Sequence, residues 1–460
     1  MDTIVCLRCR QLERRVTDLE AENQRLHQAL EEAQRAGKRQ AAPFARGEPA
    51  PNPKTPGRKP GPHYGTKGHR PPPAPEQIDE TYEAALPAAC PHCGGHVEET
   101  AVTPQYQVEI PRKPIHRQFN VHIGRCQQCS RRVQGHHPLQ TSPALGAAAS
   151  QLGPDGQAAI TLLNKRLGLS HGKVVQCLSD LFGIPLTRGG SAQAVLRVGR
   201  RCEGAYDEIR QATRASPRLA VDETGWRIGG HPAWLHAWVG EQATCYLIDP
   251  SRSAAPLEDL IGRDYDGMLI HDGWSSYDRF TAAWHQQCLA HPLRRAHDLL
   301  ATASRGAVRF PRQVITLLQE ALTVRDRFAA GKMSRAALRD ARWDLTFRLD
   351  DLVSPLKTNP DNERLAKHLH RHLDDWFTFL DFPGLEATNH RAEQAMRPAV
   401  VNRKVWGGNR TPAGSRAQSV LTSVLETCRQ QARSAVNYLS QVLRSLPLSL
   451  LQPAEVPAAA

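Results

Sequence analysis

The sequence predicts a multidomain protein of mixed α+β and α/β class. Three observations carry that reading: a heptad seam at the start, paired CxxC motifs, and a later switch from helical periodicity to short strands ending on aspartates. At 460 residues the chain exceeds a single ordinary domain, and a prior of one per ~150 residues suggests about three folding units. Charged residues are 23% and hydrophobic residues 40%, which suits a globular protein. Apolar runs fall short of the roughly 18 residues a membrane helix needs. The opening Met1-Asp2-Thr3-Ile4-Val5 lacks the regions of a signal peptide, so a cytoplasmic location away from membranes is expected. Lys plus Arg number 59 against 46 acids, a net charge of +13, which points to a polyanionic partner, nucleic acid first.

Residues 1–36 read as a coiled coil. Val5, Leu12, Leu19, Leu26 and Ala33 recur every seven residues, with Cys9, Val16, Asn23 and Leu30 interleaved, the knobs-into-holes pattern. A lone seam Asn23 favours a two-stranded parallel pairing, hence a homo-oligomer. The same pattern fits an amphipathic helix packed on its own protein; the linker that follows favours self-association. A first CxxC pair, Cys6 and Cys9, has no second pair near it and reads as incidental.

Residues 37–75 read as a basic, Pro-rich linker without a core. Eleven of the 34 prolines fall there, and its eight Lys and Arg against Glu48 give +7. Arg58 and Lys59 could lie along a DNA groove; a solubilising spacer fits equally well.

Residues 76–145 read as a zinc-binding ribbon. Cys90 and Cys93, with Cys126 and Cys129, form two knuckles that aim four thiolates at one ion. The 32-residue gap between the pairs exceeds the usual ~15–20; a hairpin insertion with strands over 105–110 and 119–123 accommodates it. Arg131 and Arg132 belong to a basic surface suited to DNA. Residues 146–217 are helix-patterned and broken at Gly168 and Gly183, with Ser170 as a candidate cap; a helix-turn-helix and a plain helical connector both fit.

From residue 218 strands take over. Leu219-Ala220-Val221 ends on Asp222, Trp234–Val239 and Thr244–Ile248 follow, and Met268–His271 ends on Asp272. A Trp284–Gln287 strand precedes Cys288 and His291, half of a zinc site without further ligands spaced nearby. Downstream, Thr388 or Asn389 caps a helix carrying Glu393. Two strand-end aspartates and a helix-borne glutamate are the elements of a two-metal phosphoryl-transfer site. Adjacent strand residues face opposite ways, so of Asp222 and Glu223 only one enters the pocket; Asp222 is chosen because Val221 and Glu223 then share the other face. Arg397, Arg403 and Lys404 around Trp406 suit phosphate contact and base stacking; a solvated basic helix end is the competing reading.

These blocks resemble the insertion-sequence-66 (IS-66) family of bacterial transposases, of the DDE class, over essentially the whole length. The resemblance rests on the seam helix, Cys90-Pro91-His92-Cys93, Val221-Asp222-Glu223-Thr224-Gly225-Trp226, His271-Asp272-Gly273-Trp274, and Cys288-Leu289-Ala290-His291. Its most specific block is Ala387-Thr388-Asn389-His390-Arg391-Ala392-Glu393-Gln394 through Arg403-Lys404-Val405-Trp406. It implies an RNase H-like core in two parts, 218–292 and 384–445, around a helical insertion at 293–383, with 446–460 as a tail. It implies a triad of Asp222, Asp272 and Glu393 holding two Mg²⁺ or Mn²⁺ ions, beside a structural zinc. His291 or Arg294 would touch substrate DNA. The implied partners are double-stranded DNA, as element ends and target, and accessory proteins of the same element; the implied location is the bacterial nucleoid. A non-catalytic, dimeric zinc-ribbon DNA-binding regulator is the alternative, and it leaves 219–416 unexplained. An RNase H-like nuclease without strand transfer would share every acid.

Overall fold

The computed structural model describes residues 15–23, 25–26, 72–108, 110, 113–146, 151–303, 305–446 and 449–451. Two units are distinguished, 1–111 and 112–460. Most of the seam and the linker, with Arg58 and Lys59, lie outside the described residues. Within the first unit, 15–23 is helical, and its seam residues Val16 and Leu19 are exposed. Residues 91–93 form the turn of the first knuckle, closed by hydrogen bonds from Gly94 N to Cys90 O and from Cys90 N to Gly95 O, each 2.8 Å.

In the second unit, β1 (Ile123–Arg125) and β2 (Arg132–Gln134) form an antiparallel hairpin around the second knuckle. This corrects the expected strands over 105–110 and 119–123: the residues described at 105–110 have no regular structure, β1 begins only at Ile123, and the hairpin pairs across the Cys126–Cys129 turn instead. Short-range closure explains the choice, since strands flanking one tight turn pair at little entropic cost.

The main sheet has five strands: β3 (Arg218–Ile228), β4 (His231–Val239), β5 (Thr244–Asp249), β6 (Met268–His271) and β7 (Trp284–Gln287). Their spatial order is β5-β4-β3-β6-β7. The first three form an antiparallel meander, while β6 pairs parallel to β3 and β7 parallel to β6. Gly229 and Gly230 turn β3 into β4, both at positive φ (59° and 88°), a conformation glycine adopts without a Cβ penalty. The sheet is mixed, and the fold as a whole is mixed α/β.

Each face of the sheet carries its own core. Ala220, Trp226, Leu235, Ala237 and Ile270 face one cluster, with Leu318, Leu345, Leu365 and Phe379 from later helices. Leu219, Val221, Trp238 and Leu269 face the other, with Val198, Tyr206, Val420 and Leu439. This alternation is the period-2 consequence of the pleat. Each fully buried Leu or Phe contributes roughly 1.5–3 kcal/mol relative to exposure.

The helices on the second face include His171–Phe182, whose N-cap Ser170 accepts from Lys173 N, as its sequence suggests. Gly168 and Gly183 sit at positive φ where helices end. Between β7 and the helix His390–Trp406 the described residues carry helices and no strand; the longest are Arg309–Ala329 and Arg335–Val353. No helix among the described residues is long and apolar enough to cross a membrane.

Candidate active site

The parallel pairing of β3 with β6 positions the two aspartates. Arg218 pairs with Met268, Leu219 with Leu269 and Ala220 with Ile270, a constant offset of 50 residues. Asp222 and Asp272 are separated by the same 50, so continuing the register beyond the strand end sets them level on neighbouring chains. Neighbouring strands run ~4.8 Å apart. β3 itself continues through Asp222 to Ile228, paired with β4, and does not stop at the aspartate as expected. Asp222 lies opposite Ala237 and shares a face with Ala220 and Trp226, the face onto which Ala392, Ala395 and Met396 of the helix His390–Trp406 pack.

Electrostatics ties the acids together. Burial, then the charges of Glu223, Asp272 and, less strongly, Glu393, push the Asp222 carboxyl up to about 7; the N–H of Glu223, donating to Asp222 Oδ1 at 2.9 Å, opposes the rise. Trp274 N donates to Asp272 Oδ1 at 3.0 Å, a turn that fixes the second carboxylate. Segments far apart in sequence thus act on the ionisation of Asp222.

Glu223 does not sit idle on the opposite face. Its side chain is only 2% exposed and pairs with Arg252 at 3.0 Å, while Tyr277 Oη donates to it at 3.0 Å. Burial and the Asp272 charge raise its pKa, against the hydrogen bonds of Arg252 and Tyr277. The Arg252 guanidinium also lies over the rings of Trp234 and Trp274, at 4.3 and 4.8 Å from their centroids. Arg252 and Tyr277 escape sequence reasoning, because neither belongs to a motif; the Asp-Glu dipeptide was their one available signal.

Behind Asp272, His271 is fully buried. Gly273 N donates to His271 Nδ1 at 3.1 Å, so His271 Nε2 carries the proton and donates to His285 Nδ1 at 2.9 Å. His285 Nε2 in turn meets Phe280 O at 3.0 Å. Burial keeps the His271 pKa well below its ordinary value. Gly273 has φ +91°, and a Cβ there would meet Gln287 Oε1 at 2.9 Å; the backbone thus needs glycine next to the aspartate.

The glutamate helix is anchored differently from expectation. Asn389 is its N-cap residue but makes no side-chain cap bond. Being fully buried, its Nδ2 donates to Val221 O at 2.6 Å instead, and its backbone N–H points at Cys288 Sγ at 3.1 Å. Glu393 Oε1 lies 3.8 Å from His291 Nε2. Further along, Arg403 bonds Thr224 Oγ1 at 3.2 Å and the Gly225 carbonyl, so it braces β3. Trp406 is half-buried, set edge-on to Trp226 at 6.1 Å, with Nε1 donating to Gly168 O at 3.3 Å. Arg294, Arg397 and Lys404 are exposed, as are Arg131 and Arg132 on the hairpin.

The two cysteine knuckles belong to different units. N–H groups of His92 and Cys93 around Cys90, and of Cys129 and Gln128 around Cys126, lower both thiol pKa values. Such N–H donors favour the thiolate, the metal-binding form.

A model of the transposase IS66 family matches residues 150–417, more than half of the 460, and the chain belongs to that family. It is 25% identical over 296 residues to the uncharacterized protein y4jD of Sinorhizobium fredii (strain NBRC 101917 / NGR234), covering 58% of this chain and 57% of that protein. To the uncharacterized protein y4qI of the same strain it is 24% identical over 430 residues, covering 84% of this chain and 75% of that protein. The chain thus spans less than two thirds of the first relative's length.

Proposed function

We propose that the chain is a DDE-type transposase that cuts DNA at the ends of an insertion element and joins them to target DNA. The observation that carries this reading is the coupling of Asp222 to Asp272 and Glu393 across three segments, with the Asp222 carboxyl pushed up to about 7. Partly buried acids whose charges repel are a site a cation would relieve. Their donors are all carboxylate oxygens, the set magnesium or manganese prefers.

In this reading Asp222 and Asp272 hold the ions from neighbouring strands of an RNase H-like core, and Glu393 completes the set from its helix. When bound, the ions supply activation of the attacking hydroxyl and charge stabilisation at the leaving oxygen. Asn389 holds the glutamate helix against β3, and the His271–His285 pair holds the turn after Asp272. Exposed Arg294, Arg397 and Lys404 supply phosphate contacts on double-stranded DNA, which position the substrate without reading its sequence. Arg131, Arg132 and the ribbon, with a zinc ion held by Cys90, Cys93, Cys126 and Cys129, add a second DNA-contacting surface. The helix at 1–36 pairs two chains, which suits an element with two ends. The net charge of +13 supports a polyanionic substrate throughout.

The test uses separate labelled donor and target duplexes with the purified full chain and Mg²⁺. Joined donor–target product is expected. Cleavage without joining would demote the protein to a nuclease, and end binding without cleavage would favour the regulator.

A further inference from the structure

The CxxH motif at Cys288 and His291 looked like half a site; the fold supplies its third donor. Ligand atoms of Cys288, His291 and Glu393 all lie within 4.8 Å of one another. Cys288 follows the end of β7, its N–H donating to His271 O at 2.8 Å. His291 is one turn on, in the helix Ala290–Thr302. Glu393 arrives from the helix His390–Trp406. We propose that these three side chains form a second metal site, one that takes a thiophilic divalent cation of the zinc type.

The donor set decides the class of ion. A thiolate, an imidazole and a carboxylate are soft to borderline ligands, whereas magnesium takes oxygen. Three protein ligands with a fourth position left open is a familiar zinc arrangement. Two further observations support occupancy by an ion over a simple His–Glu ion pair beside an inert thiol. First, His291 Nδ1 is buried without a hydrogen-bond partner, so one ring nitrogen has unused donor or acceptor capacity. Second, the backbone N–H of Asn389 donates to Cys288 Sγ at 3.1 Å, which fixes the position of the sulfur beside the glutamate helix.

The site shares Glu393 with the proposed magnesium set. A zinc-type ion on Cys288 and His291 therefore withdraws the glutamate from catalysis, and the two occupancies exclude one another. This second half rests on the transposase reading; the existence of the site does not.

Cadmium-113 NMR of the metal-free full chain, titrated with cadmium, separates this site from the four-cysteine one. Sulfur ligands shift the resonance far downfield, so a one-thiolate and a four-thiolate ion resonate apart. The wild-type chain is expected to show a one-thiolate resonance, which Cys288→Ser and His291→Ala each lose, with affinity falling roughly 10–100-fold or more. Absence of that resonance from wild-type protein overturns the site, whether or not the variants fold. Asp222→Asn is expected to keep the resonance while losing cleavage, so failure of the transposase reading is seen separately. Zinc added to magnesium-supported cleavage should abolish it; an unaffected rate with the resonance present overturns the mutual exclusion.

Discussion

Asn389 donates its side-chain N–H to the carbonyl of Val221 at 2.6 Å, across 168 residues of sequence. One bond thereby fixes the start of the glutamate helix to the strand that carries Asp222. Asn389→Ala leaves the buried Val221 carbonyl without that donor, at a cost of about 1–3 kcal/mol. Thermal denaturation should show the loss, and cleavage should fall while binding of element ends persists. An unchanged melting temperature would mean that packing alone holds the helix.

That bond also shows what the sequence conveys and what it withholds. The strand at Met268–His271 is legible because a buried apolar run ends on polar turn residues. Asp272 is legible as a strand-end acid, whereas β3 runs on past Asp222 to Ile228, and the equality of their spacing with the β3–β6 offset appears only once pairing is known. Asn389 reads as a helix cap because caps are local; its true partner is remote. Arg252 and Tyr277 carry no local signal, since their roles come from contact with Glu223 across the sheet end. The third ligand beside Cys288 and His291 is hidden by the same separation.

The zinc prediction follows from the knuckles. Cys90, Cys93, Cys126 and Cys129 should hold zinc through thiolates at about 2.3 Å. Elemental analysis of Cys90→Ser protein should show one zinc fewer per chain than wild type. Full retention would sink the assignment.

Assembly rests on the seam. Val16 and Leu19 are each 52% exposed in the single chain, apolar positions that a second helix would cover. Deleting residues 1–36 should lower the mass measured by light scattering. An unchanged oligomer would assign the helix another role.

Lys165 gives a pH dependence of stability. Its Nζ lies 5.1 Å from the centroid of the Trp406 ring, and burial pushes its pKa down to about 7. Unfolded lysine holds its proton to a pH of about 10.4. Between those values the unfolded chain binds more protons, so this group makes stability rise with pH from about 7 to about 10, and leaves it flat below 7. Lys165→Met should therefore stabilise the protein at pH 6 by roughly 1–3 kcal/mol, with the advantage fading toward pH 10. Chemical denaturation across that range measures it; a constant difference at every pH would refute the assignment.

Asp222, Asp272 and Glu393 come from three segments, 50 and 121 residues apart, and only the β3–β6 register and the Asn389 anchor make them neighbours. Asp222→Asn, Asp272→Asn and Glu393→Gln keep size and remove charge, so folding and end binding should survive. Each should abolish both cleavage and joining, because each removes a ligand for the same ions. Mg²⁺ or Mn²⁺ should be required by the wild-type chain, whereas Ca²⁺, with its looser coordination, should support binding better than chemistry. Asp222→Asn should also stabilise the metal-free protein above pH 7, where the folded chain must otherwise hold a repelled carboxylate. Its pKa of about 7 lies above the ordinary carboxylate value, so the penalty grows from about pH 4 to about pH 7 and is full beyond. A Glu393→Gln protein that cuts and joins at the wild-type rate would remove Glu393 from the set. Glu223, already buried beside Asp222 and bonded to Tyr277 and Arg252, would then be the acid to substitute, with Glu386 after it.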